Sequence, residues 1–318
     1  MGSVPQLLQR AATVLALLAA ASCSAAPAGT PSARTAPAGA PSASATPAGP
    51  LTAAINQFRD NYSKQIIEIQ LTNTTDKTVT VRAAVVQSPL FQAGISWTSA
   101  GAGTELPPGQ TKSLPALLPP ASCPGPRPDA SEPATAAGAT VRIQVAPESG
   151  AEEPVTAAAD PFGVLARNQA ELCLAQAAAA VAVFRFSPDL EVAADGRTGV
   201  LRLEIMPRNH AGAAGDGPGD GSGSLTIDSI AGTTLLEEDP GAPWPAGLWV
   251  HSTGPASTVR LGIRPARCDP HAVAEDKVGT LIPVRVTVGG REGVLKVDAG
   301  TQLRGRLYSF VTSACGRQ

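Results

Sequence analysis

Apolar and polar residues alternate along much of the chain from about residue 51. Ile67, Ile69 and Leu71 alternate with polar residues, and residues 79–85 repeat the pattern after a polar stretch at 73–77. Successive side chains of a strand point to opposite faces, so each segment is expected to bury one face. The two segments and the polar stretch between them predict a β-hairpin.

The same period recurs in later segments, with turn residues between them. This spacing predicts a mainly β protein with two immunoglobulin-like β-sandwich domains in tandem, one over residues 51–160 and one with short helices over residues 161–318. The remaining predicted strands are 112–117, 140–145, one near 155, 181–186, 200–205, 225–230, 247–251, 259–263, and a hairpin formed by 282–288 and 294–297.

Two segments have helical spacing. Residues 164–172 are expected to form a short helix that ends near Cys173. Leu303, Leu307 and Phe310 lie on one helical face near the end of the chain, which predicts a closing amphipathic helix.

The amino-terminal 22 residues have the pattern of an export signal. Arg10 precedes an apolar run at residues 11–21, broken only by Thr13. As a helix this run spans roughly 17 Å, well short of the ~30 Å hydrocarbon core of a bilayer. The run therefore predicts a signal peptide over residues 1–22, not a transmembrane helix.

Small residues lead directly into Cys23, and this arrangement resembles the bacterial lipobox, in which a lipid is attached to the cysteine after cleavage. The alternative is ordinary cleavage near Ala26, with Cys23 discarded. Residues 23–50 are rich in Ala, Pro, Ser and Thr and contain no large apolar residue before residue 51. They are expected to form a disordered tether on the outer face of the cell membrane.

Four cysteines remain after Cys23, and an even number in an exported chain predicts two disulfides. Pairing neighbours along the chain gives Cys123–Cys173 and Cys268–Cys315. A Cys173–Cys268 bridge within the second domain is the alternative.

The composition excludes some partners. The formal net charge is −2, from 24 basic and 26 acidic residues, so we expect no nucleic acid partner. Aromatic residues make up 3% of the chain, which weakens a sugar-binding interpretation. The three tryptophans are Trp97, Trp244 and Trp249.

The densest polar cluster follows Cys268. Asp269 precedes a proline that can open a helix, so Asp269 is its expected cap. His271 and Glu275 would then share a helical face and could bind a metal, although a capped turn explains the same residues. We assign no metal or cofactor here, and treat Asp269, His271, Glu275 and Asp276 as a possible ligand or contact site.

Catalytic patterns are weak. The chain contains three histidines and no Gly-x-Ser-x-Gly motif, and the surroundings of Ser222 lack the first glycine of that motif. The sequence therefore favours a protein that is not an enzyme.

Three stretches resemble uncharacterised secreted lipoproteins of high-GC Gram-positive (actinobacterial) type. They are residues 58–62 (FRDNY), residues 108–109 ahead of 123–125, and residues 267–280. The resemblance implies an envelope location and carries over no functional residues.

Together these patterns predict a membrane-anchored extracytoplasmic lipoprotein that acts as an interaction or structural module of the envelope. Its partners would be the membrane, through the lipid, and an envelope protein. The alternative is a small-ligand or metal-binding lipoprotein that uses residues 269–276.

Overall fold

The computed structural model describes residues 49–125, 138–146, 155–209, 223–274, 276 and 278–316. These residues belong to one compact unit, Thr46–Gln318. The predicted signal peptide, Cys23, most of the tether, Glu275 and Ser222 lie outside the described residues. Within the described part of the chain, no helix is long and apolar enough to cross a membrane.

The protein is mainly β, which confirms the predicted fold class. The first part of the chain forms one sheet in the order β4-β3-β7-β8-β1-β2-β6, and β5 also pairs with β3. Its strands are β1 (Leu51–Asn56), β2 (Ile66–Asn73), β3 (Val79–Gln87), β4 (Ile95–Thr98), β5 (Thr104–Leu106), β6 (Thr111–Leu117), β7 (Ala139–Val145) and β8 (Val155–Ala159).

Strand β1 joins the two layers of this first sandwich. It pairs antiparallel with β2 on one side and parallel with β8 on the other. The sheet folds over so that apolar side chains of β2 and β3, such as Ile69 and Val81, are buried in the same cluster. We call this cluster the first core.

The predicted hairpin of residues 67–71 and 79–85 is wrong. Strand β2 pairs with β1 and β6, whereas β3 pairs with β4, β5 and β7. The buried Asn73 side chain holds the connection between the layers by donating to the Lys77 and Leu106 carbonyl oxygens, each at 2.7 Å. The apolar faces of β2 and β3 therefore meet across the core and do not lie side by side.

The second part of the chain forms two sheets with a second core between them. One has the order β10-β11-β15-β13, with β9 also on β11, and the other has the order β14-β12-β16-β17. The strands are β9 (Ala182–Phe186), β10 (Glu191–Val192), β11 (Gly199–Pro207), β12 (Ser224–Ile230), β13 (Leu236–Glu238), β14 (Leu248–His251), β15 (Ser257–Pro265), β16 (Leu281–Val288) and β17 (Arg291–Asp298). The helices are α1 (Val164–Val181), α2 (Pro270–Ala274), α3 (Gly300–Cys315) and a 3-10 turn at Arg59–Asn61.

The predicted hairpin and the predicted closing helix near the end of the chain are both confirmed. Strands β16 and β17 form the expected hairpin, closed by Gly289 and Gly290 at φ 54° and 71°. Positive φ at both central residues is the geometry of a type I′ turn, so the turn is two residues long and shorter than expected. Helix α3 buries Leu303, Leu307 and Phe310, as its spacing predicts.

Helix α1 is longer than predicted, because it continues past Cys173 to Val181 through an alanine-rich segment of high helix propensity. Asp160 begins the helix: its two carboxylate oxygens accept from the backbone N–H groups of Val164 (2.7 Å) and Leu165 (2.9 Å). These bonds satisfy amides that the first turn leaves without helical partners.

The two halves of α1 bury side chains in different cores. Val164, Leu165 and Cys173 belong to the first core. Leu174, Ala178 and Val181 belong to the second. The helix is therefore shared between the sandwiches.

Both predicted disulfides are confirmed, Cys123–Cys173 and Cys268–Cys315. The first ties the segment after β6 to the middle of α1, and the second ties the segment before α2 to the end of α3. The alternative Cys173–Cys268 pairing is excluded.

We predict that replacing Cys123 and Cys173 together by serine lowers the free energy of unfolding by about 4 kcal/mol, as expected for a bridge that closes a ~50-residue loop. Urea unfolding with a fluorescence readout measures this loss. Leu117→Ala is the control, because this side chain is 64% exposed and its loss should change stability by no more than about 0.5 kcal/mol. A double variant as stable as the wild type would contradict the structural role of the bridge.

Candidate functional site

The polar segment at residues 269–276 contains a capped helical turn, and the disulfide at Cys268 attaches it to helix α3. Helix α2 begins at Pro270, and the backbone N–H of His271 donates to Asp269 Oδ1 at 3.0 Å, which is the expected capping contact. Cys268, just before the turn, is bonded to Cys315 of α3. Asp269 therefore has a clear structural role.

Asp276 is engaged by three different parts of the chain. Its carboxylate accepts from the Thr234 hydroxyl at 2.8 Å, from the Gly279 backbone N–H at 2.9 Å, and from the Tyr308 hydroxyl at 2.9 Å. These contacts connect the loop before β13, the loop before β16, and helix α3. The carboxylate therefore acts as an internal tie.

Tyr308 is the group most altered by this arrangement. Partial burial, the hydrogen bond to Asp276 and the negative charge of Asp276 together raise the pKa of Tyr308 to about 12, while Arg304 opposes the shift. The neutral phenol is the form that suits the folded state.

The rest of the segment does not form a metal centre with the residues that the structure describes. His271 is exposed on α2, and Cys268 is not available as a thiolate because it is in a disulfide. Across the described ranges, no three His, Cys, Asp or Glu side chains lie close enough to hold a metal ion. Glu275, the predicted partner of His271, lies outside those ranges.

Sequence reasoning missed a second polar region, the junction between the two sandwiches. A cleft of ≈ 210 Å³ lies there between the turn at residues 62–65, helix α1 and strand β17. Tyr62 and Gln65 line one wall, and Glu171 and Lys296 line another. We call this region the junction cleft.

Charged groups at the junction cleft connect α1 to the second sandwich. Lys296 Nζ lies 2.8 and 2.9 Å from the two carboxylate oxygens of Glu171. The same ammonium lies 5.3 Å from the centre of the Tyr62 ring, and the Arg167 guanidinium carbon lies 5.6 Å from it. Both partners of the ion pair are more than one-third exposed, so the pair alone contributes no more than about 1 kcal/mol.

A buried amide pair fixes α1 against the first sandwich. Asn168 Nδ2 donates to Gln57 Oε1 at 2.9 Å, and Gln57 Nε2 donates to Asn168 Oδ1 at 3.3 Å. The Arg167 guanidinium is a second donor to Gln57 Oε1, at 2.9 Å. Buried amides are costly unless they are paired, so this contact specifies one position of the helix.

The turn that carries Tyr62 is fixed by a backbone contact at Gln65. Gln65 has a φ of 55°, the only positive value at a non-glycine position within the described residues. Its carbonyl oxygen accepts from the Leu118 backbone N–H at 2.9 Å. A left-handed conformation costs an ordinary residue roughly 1–2 kcal/mol, so the surrounding contacts must hold the turn in place.

Glu68, on β2, is a further buried group near this turn. Burial raises the pKa of Glu68, and a hydrogen bond from Asn61 Nδ2 at 2.8 Å partly opposes the shift. The bond ties the 3-10 turn to β2.

The junction cleft serves better as a joint than as a ligand cavity. Its volume of ≈ 210 Å³ lies below the ~300 Å³ lower end of small-molecule sites. Its charged side chains already contact one another across the junction. The arrangement can therefore hold the two sandwiches together, and it shows no opposed acid and base aimed at a common point.

Comparisons with known proteins add little. No family model and no curated protein matches the chain. Solved structures that share some similarity include a β-D-mannosidase from Dictyoglomus thermophilum (10% identity, TM-score 0.19, covering 75% of this chain and 21% of the enzyme). Others are an exo-chitosanase from Amycolatopsis orientalis (14% identity, TM-score 0.18, 79% and 26%) and the CupB2 chaperone of Pseudomonas aeruginosa (12% identity, TM-score 0.18, 73% and 91%).

The chain spans about a quarter or less of the two glycosidases. At these TM-scores the likeness carries no argument about fold or activity.

We predict that Tyr308→Phe changes the alkaline stability profile. Because the folded pKa lies above the ordinary value of about 10, the contribution of Tyr308 is complete below pH 10 and is lost as the pH rises toward 12. The variant should be less stable than the wild type by about 1 kcal/mol at pH 7, through the lost hydrogen bond, and should lose less stability between pH 10 and 12. Urea unfolding at several pH values measures both effects, and parallel profiles for the two proteins would contradict the raised pKa of Tyr308.

Proposed function

We propose that the chain is a membrane-anchored extracytoplasmic lipoprotein that acts without catalysis as an interaction module of the cell envelope. A lipid on Cys23 would hold the protein at the outer face of the membrane, and residues 24–50 would separate the folded part from the lipid surface. The two disulfides support an oxidising, exported location.

The observation that carries the proposal is the way in which the two sandwiches are joined. Helix α1 lies in both cores, and the Cys123–Cys173 bridge and the Gln57–Asn168 pair fix it to the first sandwich. Domains joined only by a linker move relative to each other by default. Here the joint holds two surfaces in a fixed orientation, which lowers the ordering cost of a partner that contacts both.

Two features of the chain limit which class of partner it can bind. The nearly balanced net charge of −2 disfavours nucleic acid. The tether and anchor would restrict the folded part to the membrane surface and the adjacent wall. An envelope protein is the partner that we propose.

The alternative, a small-ligand or metal site at residues 269–276, has less support. Asp276 is engaged in internal hydrogen bonds, and Asp269 caps α2. A contact role for this segment would fall mainly to the exposed His271.

Cys23→Ala tests the anchor directly. We expect the wild-type protein to take up an alkynyl palmitate label and to fractionate with membranes, and the variant to lose the label and appear in the medium. Treated with an in-cell crosslinker, the wild type should give adducts to an envelope protein from both sandwiches, and the variant should lose them.

Ser42→Ala is the matched control, because it changes a residue of the predicted tether that carries no predicted lipid and should keep both the label and the crosslinks. Label retained by Cys23→Ala, or a wild-type chain that begins near Ala26, would contradict the anchor. A fully labelled wild type that yields no envelope crosslink would contradict the interaction role.

A further inference from the structure

One outer face of the second sandwich carries an exposed indole in a row of polar side chains. Across the sheet β14-β12-β16-β17, Trp249 pairs with Thr226, Thr226 with Thr287, and Thr287 with Glu292. Directly paired residues of antiparallel strands share a face, so these four side chains form one row. We call it the Trp249 row.

Trp249 differs from the other two tryptophans. Trp244 packs against the second core, and its indole N–H donates to the Gly262 carbonyl oxygen at 2.6 Å. Trp97 packs against the first core. Trp249 is 70% exposed, so its large ring contributes little to either core.

The surroundings of the Trp249 row are fixed by local contacts. The Thr287 hydroxyl donates to Asp228 Oδ2 at 2.9 Å, which places a carboxylate beside the row. His251, two residues along β14 from Trp249, has its ring centre 5.8 Å from the indole at an angle of 60°. His251 Nδ1 lies 2.7 Å from the Thr253 hydroxyl oxygen, which orients the imidazole.

The mixture of one aromatic ring and several hydroxyl and carboxylate groups favours a particular kind of ligand. The centre of a protein interface is apolar, whereas the direct neighbours of Trp249 across the sheet are polar. A sugar ring has a C–H face that can lie on an indole and hydroxyl groups at its edge that can bond to threonine and carboxylate side chains. Four strands at about 4.8 Å spacing give a row of roughly 14 Å, the length of a short oligosaccharide.

The charged side chains beside the Trp249 row limit the class of ligand further. Asp228 and Glu292 are acidic, and Arg285 is the basic group beside them, 3.5 Å from Glu292. Two carboxylates against one guanidinium disfavour a polyanion. We propose that the Trp249 row binds a neutral polysaccharide, with the indole stacked on one sugar ring and Thr226, Thr287 and Asp228 bonded to its hydroxyl groups.

This inference goes beyond the proposed function, because lipid attachment and protein crosslinks do not depend on the Trp249 row. Sugar binding can therefore be absent while the lipid label and the crosslinks are present. The lipid label can likewise be absent while sugar binding is present, so the two failures are distinguishable. It also revises the expectation from the low aromatic content, since one well-placed indole is sufficient for a stacking contact.

The test uses the full-length protein purified in detergent, titrated calorimetrically with the neutral hexasaccharides of cellulose, laminarin and β-mannan. We expect at least one to bind, and Trp249→Ala to weaken that binding roughly tenfold, the loss of about one stacking contact. Trp249→Phe should keep part of the affinity. Phe162→Ala is the matched control, since it removes an exposed aromatic side chain (68%) outside the Trp249 row and should bind like the wild type.

All variants should give the wild-type circular dichroism spectrum, because the side chains replaced are exposed. Absence of binding to all three hexasaccharides would overturn the proposal, as would equal affinity in Trp249→Ala and the wild type. Concentration-dependent self-association that Trp249→Ala abolishes, without sugar binding, would show that the row is instead an interface between copies.

Discussion

Helix α1 must satisfy two hydrophobic cores at once, and the arrangement of the folded part depends on this constraint. Its first half buries Val164 and Leu165 in the first core, and its second half buries Ala178 and Val181 in the second. A helix that serves one core shows a single apolar stripe. This helix instead changes its buried face along its length and is held in position by the Gln57–Asn168 pair and the Cys123–Cys173 bridge.

The shared helix fixes the orientation of one sandwich relative to the other. At the junction cleft the Glu171–Lys296 ion pair connects α1 to β17 and adds to the contacts that α1 makes with both cores. Asp276 has a similar role within the second sandwich, where it connects two loops to α3. The surface with the clearest binding chemistry is the Trp249 row, because its side chains are not committed to either core.

Several parts of the fold could be predicted from the sequence for physical reasons. Alternation with a period of two correctly predicted most of the longer strands and the β16–β17 hairpin, whereas β1 and the short strands β4, β5, β10 and β13 were not predicted. Alternation reports which face of a strand is buried and says nothing about its neighbour, which is why β2 and β3 were wrongly paired. The length of α1 was missed because its alanine-rich half has no apolar period of its own. Asn168, a polar residue one helical turn after Val164, was the available signal of the buried junction. The exposure of Trp249 depends on tertiary packing that a single sequence does not encode locally.

The most direct test of the shared helix is whether the two sandwiches unfold together. Variants that keep only Trp97 or only Trp244, with the other tryptophans replaced by phenylalanine, report on the first and second sandwich separately. In each variant, urea unfolding followed by the fluorescence of the remaining tryptophan should give the same midpoint as the loss of circular dichroism in that same variant, as a cooperative unit requires. Two separated transitions, with one sandwich unfolded while the other remains intact, would contradict a helix shared between the cores.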